Sequence, residues 1–133
     1  MKIHESSENY LETILVLSKV KPEVRSIDIA NELNFSKPSV SVAMKNLRNS
    51  GCINVNENGH ITLTDAGMKI ASTIYERHTL FTNILIQLGV DAKTAAEDAC
   101  RIEHVISPES FDAIKAHIEG NNPAQKQKMT GSN

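Results

Sequence analysis

The stretch from Ser26 to Thr64 constrains this chain most, because turn signals and periodicity there impose an order of elements. Ser26-Ile-Asp-Ile-Ala-Asn-Glu-Leu33 carries Ile29, Ala30 and Leu33 at helical spacing and predicts a short helix. Asn34-Phe-Ser36 makes a tight turn, and Lys37-Pro38 opens a second helix with proline tolerated in its first turn. Val40, Met44 and Leu47 point to the core, while Ser39, Ser41, Lys45 and Arg48 lie on other faces. Asn49-Ser-Gly51 stops that helix. Cys52-Ile-Asn-Val-Asn56 then alternates apolar and polar residues up to Asn58-Gly59, a pair suited to a hairpin, and His60-Ile-Thr-Leu-Thr64 returns as its second strand.

Short helix, tight turn, basic Ser-rich helix and hairpin, in that order, make a winged helix-turn-helix, whose second helix enters the major groove of double-stranded DNA. The charge is uneven in the same sense. Net charge is -2, yet Asn34 to Gly51 carries Lys37, Lys45 and Arg48 with no acid. Ser36, Lys37, Ser39, Ser41 and Lys45 are therefore the expected DNA contacts, hydroxyls and ammonium groups reaching phosphates while the hairpin lies along the neighbouring backbone. The competing readings are a wet helix face and a winged-helix module for protein contacts.

The flanks are helical. Ser7 is a plausible cap for a first helix with Tyr10, Ile14, Leu15 and Leu17 on its apolar face. A long helix from Thr64 to about Leu88 spaces Ile70, Ile74, His78, Phe81 and Leu85 along one side. Gly89-Val-Asp91 breaks it, a further helix runs from about Asp91 to Ile106, and Ser107-Pro-Glu-Ser110 caps a last one holding Phe111, Ile114 and Ile118. The fold class expected is mostly α: a winged helix-turn-helix DNA-binding domain over 1–70, an all-helical domain over 71–120, and a flexible tail over 121–133. The second half is too small to hide Phe81, Leu85, Phe111, Ile114 and Ile118 alone, which predicts a homodimer. With no run of about 18 apolar residues and no basic-then-apolar leader, the chain is expected to be cytoplasmic, with no membrane contact, and to keep Cys52 and Cys100 reduced.

CRIEHVIS, Cys100 to Ser107, sets a thiol, a carboxylate and an imidazole at i, i+3 and i+4, on one helical face. Between Asp91 and Gly120 seven acids stand against Lys93, Arg101 and Lys115, so the segment could hold cations. Cys100, Glu103 and His104 are open to three readings: metal ligands, an active site, or ordinary residues of a half-buried surface. The active-site reading fails on chemistry. Cys100-x-x-Glu103-His104 superficially resembles the H-x-x-E-H zinc motif but has a cysteine for its first histidine. A thiol nucleophile would need an oxyanion hole, and no Gly-rich turn sits near this helix. No enzymatic activity is expected.

NYLETILVL, IANELNFSKPSVSVAMKNLRNSG, ITLTDAGMKIA, ERHTLFTNIL and EDACRIEHVIS, in that order between Glu8 and Ile118, resemble the metal-dependent repressors of the diphtheria toxin repressor and manganese transport regulator type, in their short two-domain form. The resemblance implies a dimeric, metal-responsive repressor of metal homeostasis genes. Its winged helix binds a palindromic operator when Fe²⁺ or Mn²⁺, acting as corepressor, occupies sites between the first helix and the dimerisation helices. Zn²⁺, Co²⁺ and Ni²⁺ are possible surrogates. The resemblance also implies a mixed ligand set. Cys100, Glu103 and His104 match the core trio of the iron-type branch, Glu12 matches a glutamate of the manganese-type branch, and His78 matches a histidine used by both. Asn9 stands where one branch has methionine and the other aspartate, and offers a neutral amide oxygen. Thr82 and Ala96 replace two ligands of the iron branch's second site. A metal-independent DNA-binding or protein-interaction module is the alternative function.

Overall fold

A computed structural model describes residues 5–120 of the chain, which divide into two compact units, one up to Glu76 and the other from Arg77 onward. The order is α1 (Glu5–Val20), α2 (Ser26–Leu33), α3 (Lys37–Asn49), β1 (Ile53–Val55), β2 (Ile61–Leu63), α4 (Asp65–Gln87), α5 (Ala92–Val105) and α6 (Pro108–Gly120). The division falls inside α4. The expected tail over 121–133 lies outside the described residues.

In the first unit, α1 buries Tyr10, Leu11, Ile14, Leu15 and Leu17, a stripe at helical spacing. Ser7 does not cap it. The described helix already begins at Glu5, and Glu5 and Glu8 occupy its first turn, where acidic groups meet the positive end of the helix dipole. The backbone N–H of Arg25 donates to the Asp28 carboxylate at 2.9 Å to start α2, and Lys21 Nζ pairs with the same carboxylate at 3.2 Å. The helix ends at Asn34, in the left-handed conformation with φ 59°. Ser36 then caps α3, accepting the Ser39 N–H at 3.3 Å, with Pro38 in the first turn as expected.

The hairpin pairs Ile53 with Leu63, Asn54 with Thr62 and Val55 with Ile61, antiparallel. Each strand has three residues, shorter than the alternation in the sequence suggests. The reason is Asn56, whose side-chain oxygen accepts the N–H groups of Asn58 and His60, both at 2.9 Å, and draws these residues into the turn. Ile61 N–H donates to Val24 O at 2.8 Å, tying the hairpin to the loop before α2. Thr64 Oγ1 donates to Gly51 O and accepts the Gly67 N–H, closing the start of α4 onto the end of α3. At Gly67 the backbone comes so close that a Cβ would stand 2.0 Å from Cys52 O. Leu11, Ile14, Ile29, Val40, Ile53 and Ile61 are fully buried in one core, each contributing about 1.5–3 kcal/mol from burial.

The second unit has a small core of Phe81, Ala99 and Phe111, with Leu80, Ile84, Ile102 and Ile106 packed against it. Phe81 and Phe111 meet edge to face, centroids 5.9 Å apart. Asp91 caps α5 by accepting the Thr94 N–H, which holds the Asp91 carboxyl below the usual carboxylate range, and Ser107 caps α6 by accepting the Ser110 N–H. Leu88, Val105 and Ile114 remain exposed. Among the described residues no helix is long and apolar enough to cross a membrane.

Candidate metal centre and nucleic-acid interface

The last turn of α5 carries the chemistry of the second unit. Cys100, Glu103 and His104 share a face of that helix, with Cys100 half-buried, Glu103 wholly excluded from solvent and the His104 side chain 3% exposed. Glu103 Oε1 lies 2.7 Å from Nδ1 of His78 on α4. Its other oxygen, Oε2, is buried with no hydrogen-bond partner among the described residues, and His104 Nε2 stands 3.7 Å from it. A buried carboxyl oxygen that has left water without gaining a hydrogen-bond partner carries a desolvation cost. A cation at Oε2 would remove that cost. The ligand atoms of Glu103 and His104 lie within 4.8 Å of one another, and carboxylate oxygen with imidazole nitrogen suits a divalent transition metal, so these residues fit such an ion; the Cys100 thiol is not part of that close group.

Arg77, buried in the same unit, bonds to main-chain oxygens. Its Nη1 donates to the main-chain oxygens of Glu103 at 3.1 Å and Ile106 at 3.0 Å, while its guanidinium stacks over the Phe111 ring at 5.5 Å. Arg77 was not among the residues expected from sequence. Continuing the α4 stripe as Ile70, Ile74, Arg77 and Phe81 would have marked it as inward-facing; Ile74, Arg77 and Phe81 are all buried. His78, placed on that stripe by the sequence reading, is half-exposed at the stripe's edge, its side chain 30% open to solvent.

Glu12 and Asn9 belong to the first unit. Glu12 is buried in α1, an unusual place for a carboxylate, and Asn9 is half-buried, its main-chain oxygen accepting from Thr13 Oγ1.

All five residues expected to face DNA, Ser36, Lys37, Ser39, Ser41 and Lys45, are exposed, and four of them lie on α3. Ser36 precedes it as its cap, and Ser36 Oγ also donates to Ser39 Oγ at 2.8 Å, so these two hydroxyls organise the helix start. A cleft of about 240 Å³ is lined by Ser26, Ser41, Met44, Lys45, Arg48 and Val55. Arg48 thus joins Lys45 in one concavity. Arg25, absent from the sequence expectations, donates from Nε to Asn58 O at 3.1 Å and holds the hairpin tip. Its partner is 33 residues away, which no local pattern reveals.

Comparison with known families matches residues 2–61 to the iron-dependent repressor N-terminal DNA-binding domain and residues 64–127 to the iron-dependent repressor metal-binding and dimerisation domain. An uncharacterised helix-turn-helix transcriptional regulator of Methanocaldococcus jannaschii is 33% identical over 117 residues, covering 86% of this chain and 94% of the relative. The transcriptional regulator MntR of Escherichia coli is 35% identical over 111 residues, covering 84% of this chain and 72% of the relative. A solved manganese-dependent transcriptional repressor in complex with manganese superposes with a TM-score of 0.77 at 24% identity, over 85% of this chain; the match spans about half, 52%, of that longer chain.

Proposed function

The chain belongs to the iron-dependent repressor family, and from that membership we propose that it is a metal-responsive transcriptional repressor with Fe²⁺ or Mn²⁺ as corepressor. The observation that carries the proposal is Glu103: a fully buried carboxyl group with one oxygen lacking a hydrogen-bond partner among the described residues, 3.7 Å from a nearly buried imidazole on the same helix turn. The proposed ligands are Cys100, Glu103, His104 and His78, to which the resemblance adds Glu12 and Asn9. When bound, the cation would supply positive charge at Glu103 Oε2, which has no hydrogen-bond partner among the described residues.

The chain's own residues prepare for it. His78 holds Oε1 through Nδ1, which orients Oε2 and keeps its imidazole beside the carboxylate that would hold the ion. Zn²⁺, Co²⁺ and Ni²⁺ should serve as surrogates, because selectivity between such ions rests on geometry, softness and supply more than on raw affinity. On the DNA side, the exposed Ser36, Lys37, Ser39, Ser41 and Lys45 are the proposed contacts, made by a homodimer to the two halves of a palindromic operator about 34 Å apart. Coupling between metal and DNA is a population shift, in which metal favours the DNA-competent arrangement of the dimer by binding it better than the others. We assign binding rather than catalysis to the cluster, and the cytoplasm to the protein.

Thermal denaturation of reduced, dialysed protein tests the centre directly. A ligand of the native state alone stabilises it by roughly 2.7 kcal/mol at a hundredfold excess over its Kd. Mn²⁺ or anaerobic Fe²⁺ should raise the melting temperature of the parent and leave Glu103→Ala and His104→Ala unmoved. An equal rise in both variants would mean that the metal binds elsewhere.

A further inference from the structure

We propose that Arg77 is a positioning residue of the metal centre, one that fixes the last turn of α5 through its backbone and leaves the Glu103 carboxylate to the metal. The inference rests on the reading of Cys100, Glu103, His104 and His78 as ligands, and adds a residue that touches none of the proposed donor atoms. A buried guanidinium next to a buried carboxylate ordinarily makes a bidentate pair, which satisfies both. Here the partners are different. Nη1 donates to Glu103 O and Ile106 O, and the ring of Phe111 covers the guanidinium from one side.

Two physical consequences follow from that choice of acceptors. Glu103 O belongs to the last turn of α5 and Ile106 is the C-cap, the negative end of the helix dipole, so the charge of Arg77 is offset by the helix end. The carboxylate is left out of the Arg77 contacts, and Oε2 has no hydrogen-bond partner among the described residues. A lysine could supply the charge but not the fixed planar fork of donors. Clamping two carbonyls three residues apart also sets the pitch of the turn carrying Glu103 and His104. The distance of 3.7 Å between His104 Nε2 and Glu103 Oε2 is then maintained by α4 as well as by α5. Arg77 Nε is buried without a hydrogen-bond partner among the described residues, an added cost that the two carbonyl bonds and the Phe111 contact must offset.

The test compares the parent, Arg77→Met and Arg77→Lys as full chains. Two quantities are read: Mn²⁺ affinity by calorimetry, and amide hydrogen exchange in the metal-free state. Partners that orient metal ligands typically contribute about 10- to 100-fold in affinity. Arg77→Met should lose that much, with faster exchange confined to the amides from Glu103 to Ile106, while α1 to α3 keep their protection. Arg77→Lys should recover part of the loss. Parent-like affinity in Arg77→Met would overturn the positioning role and leave the metal centre standing. Should Arg77→Met not fold, parent-like affinity and exchange in Arg77→Lys would overturn it equally. A parent that takes up no metal would overturn the centre itself, and the role of Arg77 with it.

Discussion

On the proposed reading, single side chains would set which ion the protein answers to and how tightly it holds DNA. Cys100 is the soft donor of the proposed ligand set, and softness is what separates Fe²⁺ and Zn²⁺ from Mn²⁺. Cys100→Asp should therefore move preference toward Mn²⁺, read as the ratio of affinities from parallel titrations with Mn²⁺ and anaerobic Fe²⁺; an unchanged ratio would remove the thiol from the ligand set. Binding of any of these metals should weaken as pH falls, because protons compete for imidazole and thiolate. Lys45 is the proposed phosphate contact, acting through charge. Lys45→Ala should weaken binding about equally across DNA sequences and reduce the salt slope by about one unit. A salt titration that superposes on the parent's would show that Lys45 meets no phosphate.

At the scale of elements, the hairpin and the helices around it are held by close backbone contacts that a substitution would disturb. Gly67 is the clearest, since a methyl group there would stand 2.0 Å from the main-chain oxygen of Cys52 and the main chain must shift to admit it. Gly67→Ala should cost about 1–3 kcal/mol, the range for overpacked sites, and urea denaturation at parent-like stability would contradict the packing. The start of α2 is sensitive to acid instead. The Arg25 N–H, and then Lys21, hold the Asp28 carboxyl below the usual carboxylate range. A depressed pKa contributes stability that is present above the unfolded value, about 3.9, and is lost as pH falls through the folded value. Asp28→Asn should flatten that part of the acid limb of stability, lying below the parent at neutral pH and converging with it as pH falls through the folded value; parallel urea denaturation of both proteins across that range checks it.

The helices were legible because their apolar residues recur at helical spacing, and Ser36, Asp91 and Ser107 announce their starts. Cys100, Glu103 and His104 were legible as a trio because i, i+3 and i+4 share a face. Arg77 and Arg25 were not, since each is defined by carbonyl partners 26 to 33 residues away and carbonyls leave no mark in a sequence. The strands came out shorter than expected for a similar reason. The Asn56 side chain competes with the ladder for the Asn58 and His60 amides, and alternation of residue types does not register that competition.

For the whole molecule the proposal reduces to one coupling free energy between metal and DNA. Such couplings are typically about 1–3 kcal/mol, or 5- to 150-fold in affinity, and linkage makes them reciprocal. Operator DNA should therefore raise Mn²⁺ affinity by the same factor by which Mn²⁺ raises operator affinity. The coupling must vanish when the centre loses its charge, whatever becomes of stability. Glu103→Gln keeps the shape of the side chain and removes the charge, so it separates the two. The decisive measurement is operator affinity at fixed salt, with and without saturating Mn²⁺ or Fe²⁺, for the parent and Glu103→Gln. The parent should gain at least about fivefold from the metal and Glu103→Gln should gain nothing. Equal operator affinity of the parent in both conditions, or an undiminished gain in Glu103→Gln, would contradict the account.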